Sequence, residues 1–171
     1  MPVRILKIDA AATITRPNDT TTYASADLVA NSTTAGSVTP FSFTIPASIL
    51  PFVWRINGGL MTATATSAPL ANSTFRVHLF TTSPTVANGD NAAFSTTASY
   101  SSWIGALDTT HTALGSGGTR GILGPVTAGV YPLVPAETAT LYGLIEARAA
   151  YVPVAQTVFA LTIDAFYGFG W

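Results

Sequence analysis

His78 and His111 are the only histidines in the chain, and their spacing forms neither a His-x-His pair nor a His-Glu-x-x-His helix face, the arrangements that gather imidazoles on one metal. There is no cysteine, which excludes disulfides, thiolate ligands and a cysteine nucleophile. His78 reads as a hydrogen-bonded strand residue and His111 as a loop residue, because a general base needs an orienting partner that the sequence does not place nearby. Asp90, Asp108, Glu137, Glu146 and Asp164 are the acids to weigh as a glycosidase pair, whose carboxyl groups stand about 5 to 9.5 Å apart. The ordinary use of such residues is capping and ion pairing with arginine. Gly115-Ser-Gly-Gly-Thr-Arg-Gly has the outline of a phosphate loop, but Arg120 stands where the dinucleotide fingerprint needs glycine, and no Gly-Lys-Ser/Thr follows. Gly-x-Ser-x-Gly is absent, and the segment 88–91 lacks the acid that closes an EF-hand. The Asn-x-Ser/Thr triplets at Asn18, Asn31 and Asn72 follow from the abundance of threonine. The reading is therefore no catalytic centre, no metal and no cofactor.

The aromatic residues form the more informative constellation. Phe52 and Trp54 follow Pro51, Trp103 lies near a loop, Phe80 falls on the polar face of an expected strand, and the chain closes on Phe166-Tyr-Gly-Phe-Gly-Trp171. Aromatic rings anchor interfaces at low entropic cost. Phe52, Trp54, Phe80, Trp103, Phe166, Phe169 and Trp171 are accordingly the candidate subunit or partner contacts, the alternative being burial in the core.

Composition points the same way. Charged residues make up 9% of the 171 positions against 48% hydrophobic, and Lys7 is the only lysine. Free monomers usually carry roughly 25 to 35% charge on their surfaces. Here hydroxyls take that role, in clusters such as Thr20-Thr-Thr and Ser95-Thr-Thr. The expectation is a building block packed against other subunits. Seven basic residues and a net charge of -1 argue against nucleic acid, which demands clustered Lys and Arg. No run of about 20 apolar residues escapes interruption by proline or charge, so no membrane helix is expected. Asp9 interrupts the start of the chain before a secretory signal core can form.

What must position these residues is a set of short strands. Thr, Val, Ile, Phe and Tyr favour strands while Ser, Asn, Gly and Pro punctuate them, which predicts an all-β sandwich or barrel with long loops and little helix. Strands are predicted over 4–8, 12–15, 26–30, 42–45, 60–66, 74–81, 100–104, 126–131, 139–150 and 157–167. Period-two alternation puts Met61, Ala63 and Ala65 on one face, and likewise Phe75, Val77 and Leu79, and Phe159, Leu161, Ile163 and Ala165. Phe80 then needs cover from a loop or a partner. The segment 136–150 also fits a helical face, but Thr138, Thr140 and Gly143 favour a strand. Turns are predicted at 57–59 and 88–90, a flexible loop at 115–118, and one helical turn over 90–94 capped by Asp90. One domain over 1–171 is expected, with 1–12 as an N-terminal arm or edge strand and 166–171 as an aromatic tail.

Three segments carry a family resemblance: Ile14-Thr-Arg-Pro-Asn-Asp-Thr-Thr-Thr-Tyr-Ala leading into Ala26-Asp-Leu-Val-Ala; Phe75-Arg-Val-His-Leu-Phe-Thr-Thr-Ser-Pro-Thr followed by Asp90-Asn-Ala-Ala-Phe94; and Leu141-Tyr-Gly-Leu-Ile-Glu-Ala-Arg-Ala-Ala-Tyr-Val-Pro153. They resemble the head decoration, or capsid cement, proteins of tailed bacteriophages. The resemblance implies a jelly-roll-like β-sandwich without enzymatic activity that binds the major capsid protein on the outer capsid surface, as a homodimer or homotrimer. It also implies a place in the virion after assembly in the host bacterial cytoplasm. A carbohydrate-binding β-sandwich module stacking sugars on Trp54, Trp103 or Trp171 is the alternative, with a tail or fibre role between the two and a glycosidase third.

Overall fold

The computed structural model describes residues 10–46, 53–66, 73–97, 100–115, 117–128 and 131–166. The strands are β1 (Ala10–Thr15), β2 (Leu28–Val29), β3 (Phe41–Thr44), β4 (Trp54–Thr64), β5 (Thr74–Phe80), β6 (Thr85–Val86), β7 (Thr96–Thr97), β8 (Trp103–Thr110), β9 (Thr112–Ala113), β10 (Gly118–Pro125), β11 (Leu133–Val134), β12 (Thr140–Ala147) and β13 (Val158–Phe166). Eleven of them form one sheet in the order β1-β13-β4-β10-β8-β5-β12-β2, with β3 also on β12, β9 on β10 and β11 on β4, while β6 and β7 form a separate ribbon. Every pairing between these strands is antiparallel. The protein is thus all-β, a strongly curled antiparallel sheet shaped as a half-barrel. Helix is confined, among the described residues, to the 3-10 turns Ala35–Ser37 and Tyr100–Ser102.

The curl lets one continuous face of the sheet bury itself. Phe75, Val77 and Leu79 of β5, Met61 and Ala63 of β4, and Phe159, Leu161, Ile163 and Ala165 of β13 all point inward, so the predicted alternation holds in each strand. Trp54, Leu107, Leu123, Leu141 and Ile145 join the same core. On the opposite face, the Phe80–Leu144 end of β5 and β12 is covered by the chain itself. There Phe80 and Leu144 pack with Leu28, Ala30 and Val86 in a second, smaller apolar cluster. The β8–β10 half has no such cover among the described residues.

Several expectations change. The segment 57–59 is no turn: it lies within β4, where the register against β13 shifts between Asp164↔Gly58 and Ala165↔Ile56, leaving Asn57 as the extra residue of a bulge. Gly58 takes φ 154° there. The two glycines serve close approach instead of chain reversal, since a Cβ on Gly59 would stand 2.1 Å from the Thr162 carbonyl oxygen. Asp90 caps no helix; it begins a tight turn in the 88–94 loop, with Asn91 at φ 59°. No strand forms over the described part of 126–131, where Thr127 makes a single bridge, and strand pairing resumes at β11; the predicted strand at 100–104 opens as the 3-10 turn before β8. Glycines 117 and 118 do belong to a reversal, closed by the Leu114 N–H donating to the Gly118 carbonyl at 2.9 Å, but Thr119, Arg120 and Gly121 are strand residues of β10. The predicted strand 4–8 lies outside the described residues.

Gly59→Ala is expected to destabilise the protein by about 3 kcal/mol, because backbone must move to admit the methyl group. That would lower Tm by roughly 6 to 12 °C. Gly36, which has nothing within 4 Å of a built Cβ, should accept alanine with little change. Thermal melts of the two variants check the contrast, and equal losses would refute it.

Candidate functional site

Two polar constellations stand out, one sealed and one open. The sealed one joins Arg16, Tyr23 and Asp90. Arg16 leaves the end of β1, and its side chain, like that of Asp90, is fully buried. Its Nη2 donates to Asp90 Oδ2 at 2.9 Å, and its Nε donates to the Tyr23 hydroxyl at 2.5 Å, which in turn donates to Asp90 Oδ1 at 2.5 Å. The Ala30 N–H donates to Asp90 Oδ1 at 2.7 Å, and Arg16 Nη1 reaches the Val154 carbonyl at 3.2 Å. Tyr23 stacks on Tyr151 at 4.8 Å between centroids, and Phe75 meets Tyr151 edge-on. Burial works against the Arg16 charge, but the neighbouring Tyr23 and Asp90 outweigh it and hold the guanidinium protonated. Burial, then the proximity of Tyr151 and Asp90, pushes the Tyr23 phenol far above its ordinary range, so it remains a donor to Asp90. The polar groups of Arg16, Tyr23 and Asp90 pair with one another and with the backbone, which suits fastening.

The open constellation lies on the outer face of β8, β5 and β12. Antiparallel register places Arg76 opposite Asp108 on one side and Glu146 on the other. Arg76 grips Asp108 with a fork of two hydrogen bonds, Nε to Oδ1 at 2.7 Å and Nη2 to Oδ2 at 2.8 Å. Glu146 accepts from His78 Nε2 at 2.7 Å and from Arg148 Nη1 at 2.6 Å. Burial would raise the Glu146 carboxyl, but these bonds overcome it and hold the group below the usual carboxylate range. Asp108 is thus engaged by Arg76, and Glu146 by His78 and Arg148, as the ordinary ion-pairing use of such acids predicts.

Four depressions join along this face by shared walls. One of about 390 Å³ lies beside Leu114 and Arg120 and shares Ile122 with one of about 560 Å³ over Asp108 and Arg76. Arg76 is shared in turn with a cavity of about 230 Å³ bounded by Trp103, Val126 and Pro132. Trp103 and His78 separate that cavity from an apolar one of about 250 Å³ lined by Phe94 and Tyr100. His78 stacks on Phe94 at 4.4 Å and 20°, with Trp103 tilted beside it at 6.5 Å.

Of the aromatic candidates, Trp54 and Phe80 do not offer themselves to a partner, each being 2% exposed. Trp54 enters the main core from β4, and Phe80 is capped by the 28–38 and 84–97 segments, so the cover it required comes from a loop of the same chain. Trp103 is 48% exposed. Phe166 ends β13 opposite Arg55, while Phe52, Phe169 and Trp171 lie outside the described residues. His78 is the hydrogen-bonded strand residue expected; His111 is buried, its Nδ1 sharing a hydrogen bond with Thr119 Oγ1 at 2.9 Å. Arg16 and Tyr23 escaped the search for chemistry because their partner, Asp90, is 74 and 67 positions away. The signal that could have found them is a lone arginine in a charge-poor chain, which needs an acid wherever it is buried. The chain matches no protein-family model, and a search of curated proteins returns no significant match.

Asp90→Ala is expected to cost about 3 to 5 kcal/mol, since it strands the buried Arg16 charge. Chemical denaturation measures this, and a loss below about 1 kcal/mol would show that the knot is not a fastening. Acid should act through His111, whose imidazole burial lowers to about 4 from 6.5. The unfolded chain takes up that proton near pH 6.5 and the folded chain only near pH 4, so stability falls as pH drops through this window, by about 3 kcal/mol in all. His111→Asn, which cannot titrate there, should show a flatter stability profile between those limits; an unchanged slope would refute the assignment.

Proposed function

We propose that the chain is a structural, non-catalytic virion protein that decorates or cements a phage capsid, docking on the major capsid protein as a homo-oligomer. The observation that carries this reading is the bare outer face of β9 and β10. Ile122, on β10, is 77% exposed, and Leu114, which follows β9 and donates its N–H to the Gly118 carbonyl, is 65% exposed; both lie beside joined depressions in a chain with little charge. Isolated apolar side chains at a surface are ordinary; a run of them bordered by charges that are already paired, Arg76 with Asp108 and Arg148 with Glu146, is the composition of a docking surface. Charges that keep their partners lose less on desolvation against a neighbour than unpaired ones would. Trp103 and Val126 lie farther along this side of the sheet, around a different cavity, and are not part of the docking surface.

A jelly-roll-like sandwich is the form this fold takes on the same reading. β10 pairs with β4 along Gly118 to Leu123 and then with β8 at Gly124 and Pro125, so a single strand passes from one half of the curled sheet to the other. That transfer supports two faces closing over one core, as in sandwiches whose strands switch sheets. A tail or fibre role would employ the same surface against a different virion protein.

Light scattering and co-sedimentation with undecorated capsids test the proposal. A dimer or trimer that sediments at fixed stoichiometry is expected, and Ile122→Asp should weaken its binding about tenfold or more without lowering Tm. A monomer that stays in the supernatant would overturn it.

A further inference from the structure

We propose that Trp103 and the two cavities on either side of it form a binding site for a short run of neutral pyranose sugars. This inference stands apart from capsid docking, which is assigned to the Ile122 and Leu114 end of the face. It starts from what the cavity of about 230 Å³ offers together: the tryptophan ring, Arg76 and His78. Arg76 commits Nε and Nη2 to Asp108, and its Nη1 has no hydrogen-bond partner among the described residues. His78 commits Nε2 to Glu146, which leaves Nδ1 without a partner among the described residues. Two uncommitted polar atoms thus stand beside an aromatic ring, and a sugar hydroxyl can donate to or accept from either. The negative face of an aromatic ring complements the C–H bonds that a pyranose presents on its apolar side.

These groups are also held in place. Trp103 follows a 3-10 turn tied to β5 by the Thr81 N–H donating to the Ser102 carbonyl at 2.9 Å. His78 is clamped between Glu146 and the ring of Phe94, and Arg76 is fixed by its fork. Ordered polar groups lose less entropy on binding than free surface side chains do. The charges close on themselves, Arg76 and Arg148 against Asp108 and Glu146, so the site has little net field to attract an ion and favours a neutral, hydroxyl-rich ligand. The second cavity, on the far side of Trp103 beside the 81% exposed Tyr100, gives room for a further sugar unit, which favours an oligosaccharide over a single ring.

Titration calorimetry on the full chain tests this, using ladders of neutral oligosaccharides of glucose, galactose, mannose and N-acetylglucosamine from one to six units. Saturable binding that strengthens from one unit to two or three is expected for at least one ladder. Trp103→Ala should weaken it about tenfold or more and His78→Ala several-fold, with Trp103→Phe retaining most of it and Ile122→Asp leaving it unchanged. Melting temperatures near that of the parent verify that each variant folds. Absence of saturable binding to every ladder, or binding that Trp103→Ala leaves intact, would overturn the proposal. Loss of capsid docking with sugar binding intact would overturn the docking reading alone.

Discussion

The buried ion pair between Arg16 and Asp90 is the constraint on which the rest of the arrangement depends. Two charges withdrawn from water are tolerable only if their remaining hydrogen-bonding capacity is met, and here Tyr23, the Ala30 N–H and the Val154 carbonyl meet it. The ion pair and its partners come from three stretches of chain, and the backbone around them is stitched in the same register. Tyr23 N–H donates to the Tyr151 carbonyl, Leu28 N–H to Ala92, and Arg16 N–H to Thr157. A slip of any one stretch would leave a buried charge unpaired, so the pair selects one arrangement of three irregular segments that sheet pairing alone would not define. The segments 14–30, 75–94 and 141–153 each contribute to this knot, with Arg16 and Tyr23 in the first, Asp90 in the second and Tyr151 in the third. Their common work in this fold is fastening.

Fastening also explains why the two faces of the sheet differ. The 16–38 and 84–97 segments, once anchored at the knot, lie over the outer side of β5 and β12 and bury Phe80 and Leu144 there. The other half of the same face, over β8 and β10, receives no such cover among the described residues, and it carries the exposed Ile122, Leu114 and Trp103. Between the two halves runs the ladder of Asp108, Arg76, Glu146 and His78. The border between covered and bare sheet is therefore where fixed polar groups meet an open aromatic ring. The proposed docking and ligand surfaces lie on this side, which the anchored loops leave accessible.

Side-chain alternation was legible in the residues, because successive side chains of a strand leave on opposite sides whatever the strand later pairs with. Met61 and Ala63, Phe75 and Val77, and Phe159 and Leu161 could be assigned to the core on that basis, as could the need of Phe80 for cover. The β-rich class, the scarcity of helix and the strand nature of β12 over its helical pattern followed from local preference in the same way. Which partner each residue meets was decided by contacts between distant parts of the chain. Asn57-Gly-Gly is locally indistinguishable from a turn, and it became a bulge because β13 passes too close for a Cβ at Gly59. Trp54 and Trp103 are alike as residues, and one is core while the other is surface because β11 and β13 flank the strand of the first and no loop among the described residues covers the second. Asp90 looked like a cap and is the counter-charge of an arginine 74 residues earlier, a relation that exists only after the chain has closed. Periodicity and composition act over a few residues and survive in the sequence, whereas burial and charge pairing are set by neighbours that folding brings together.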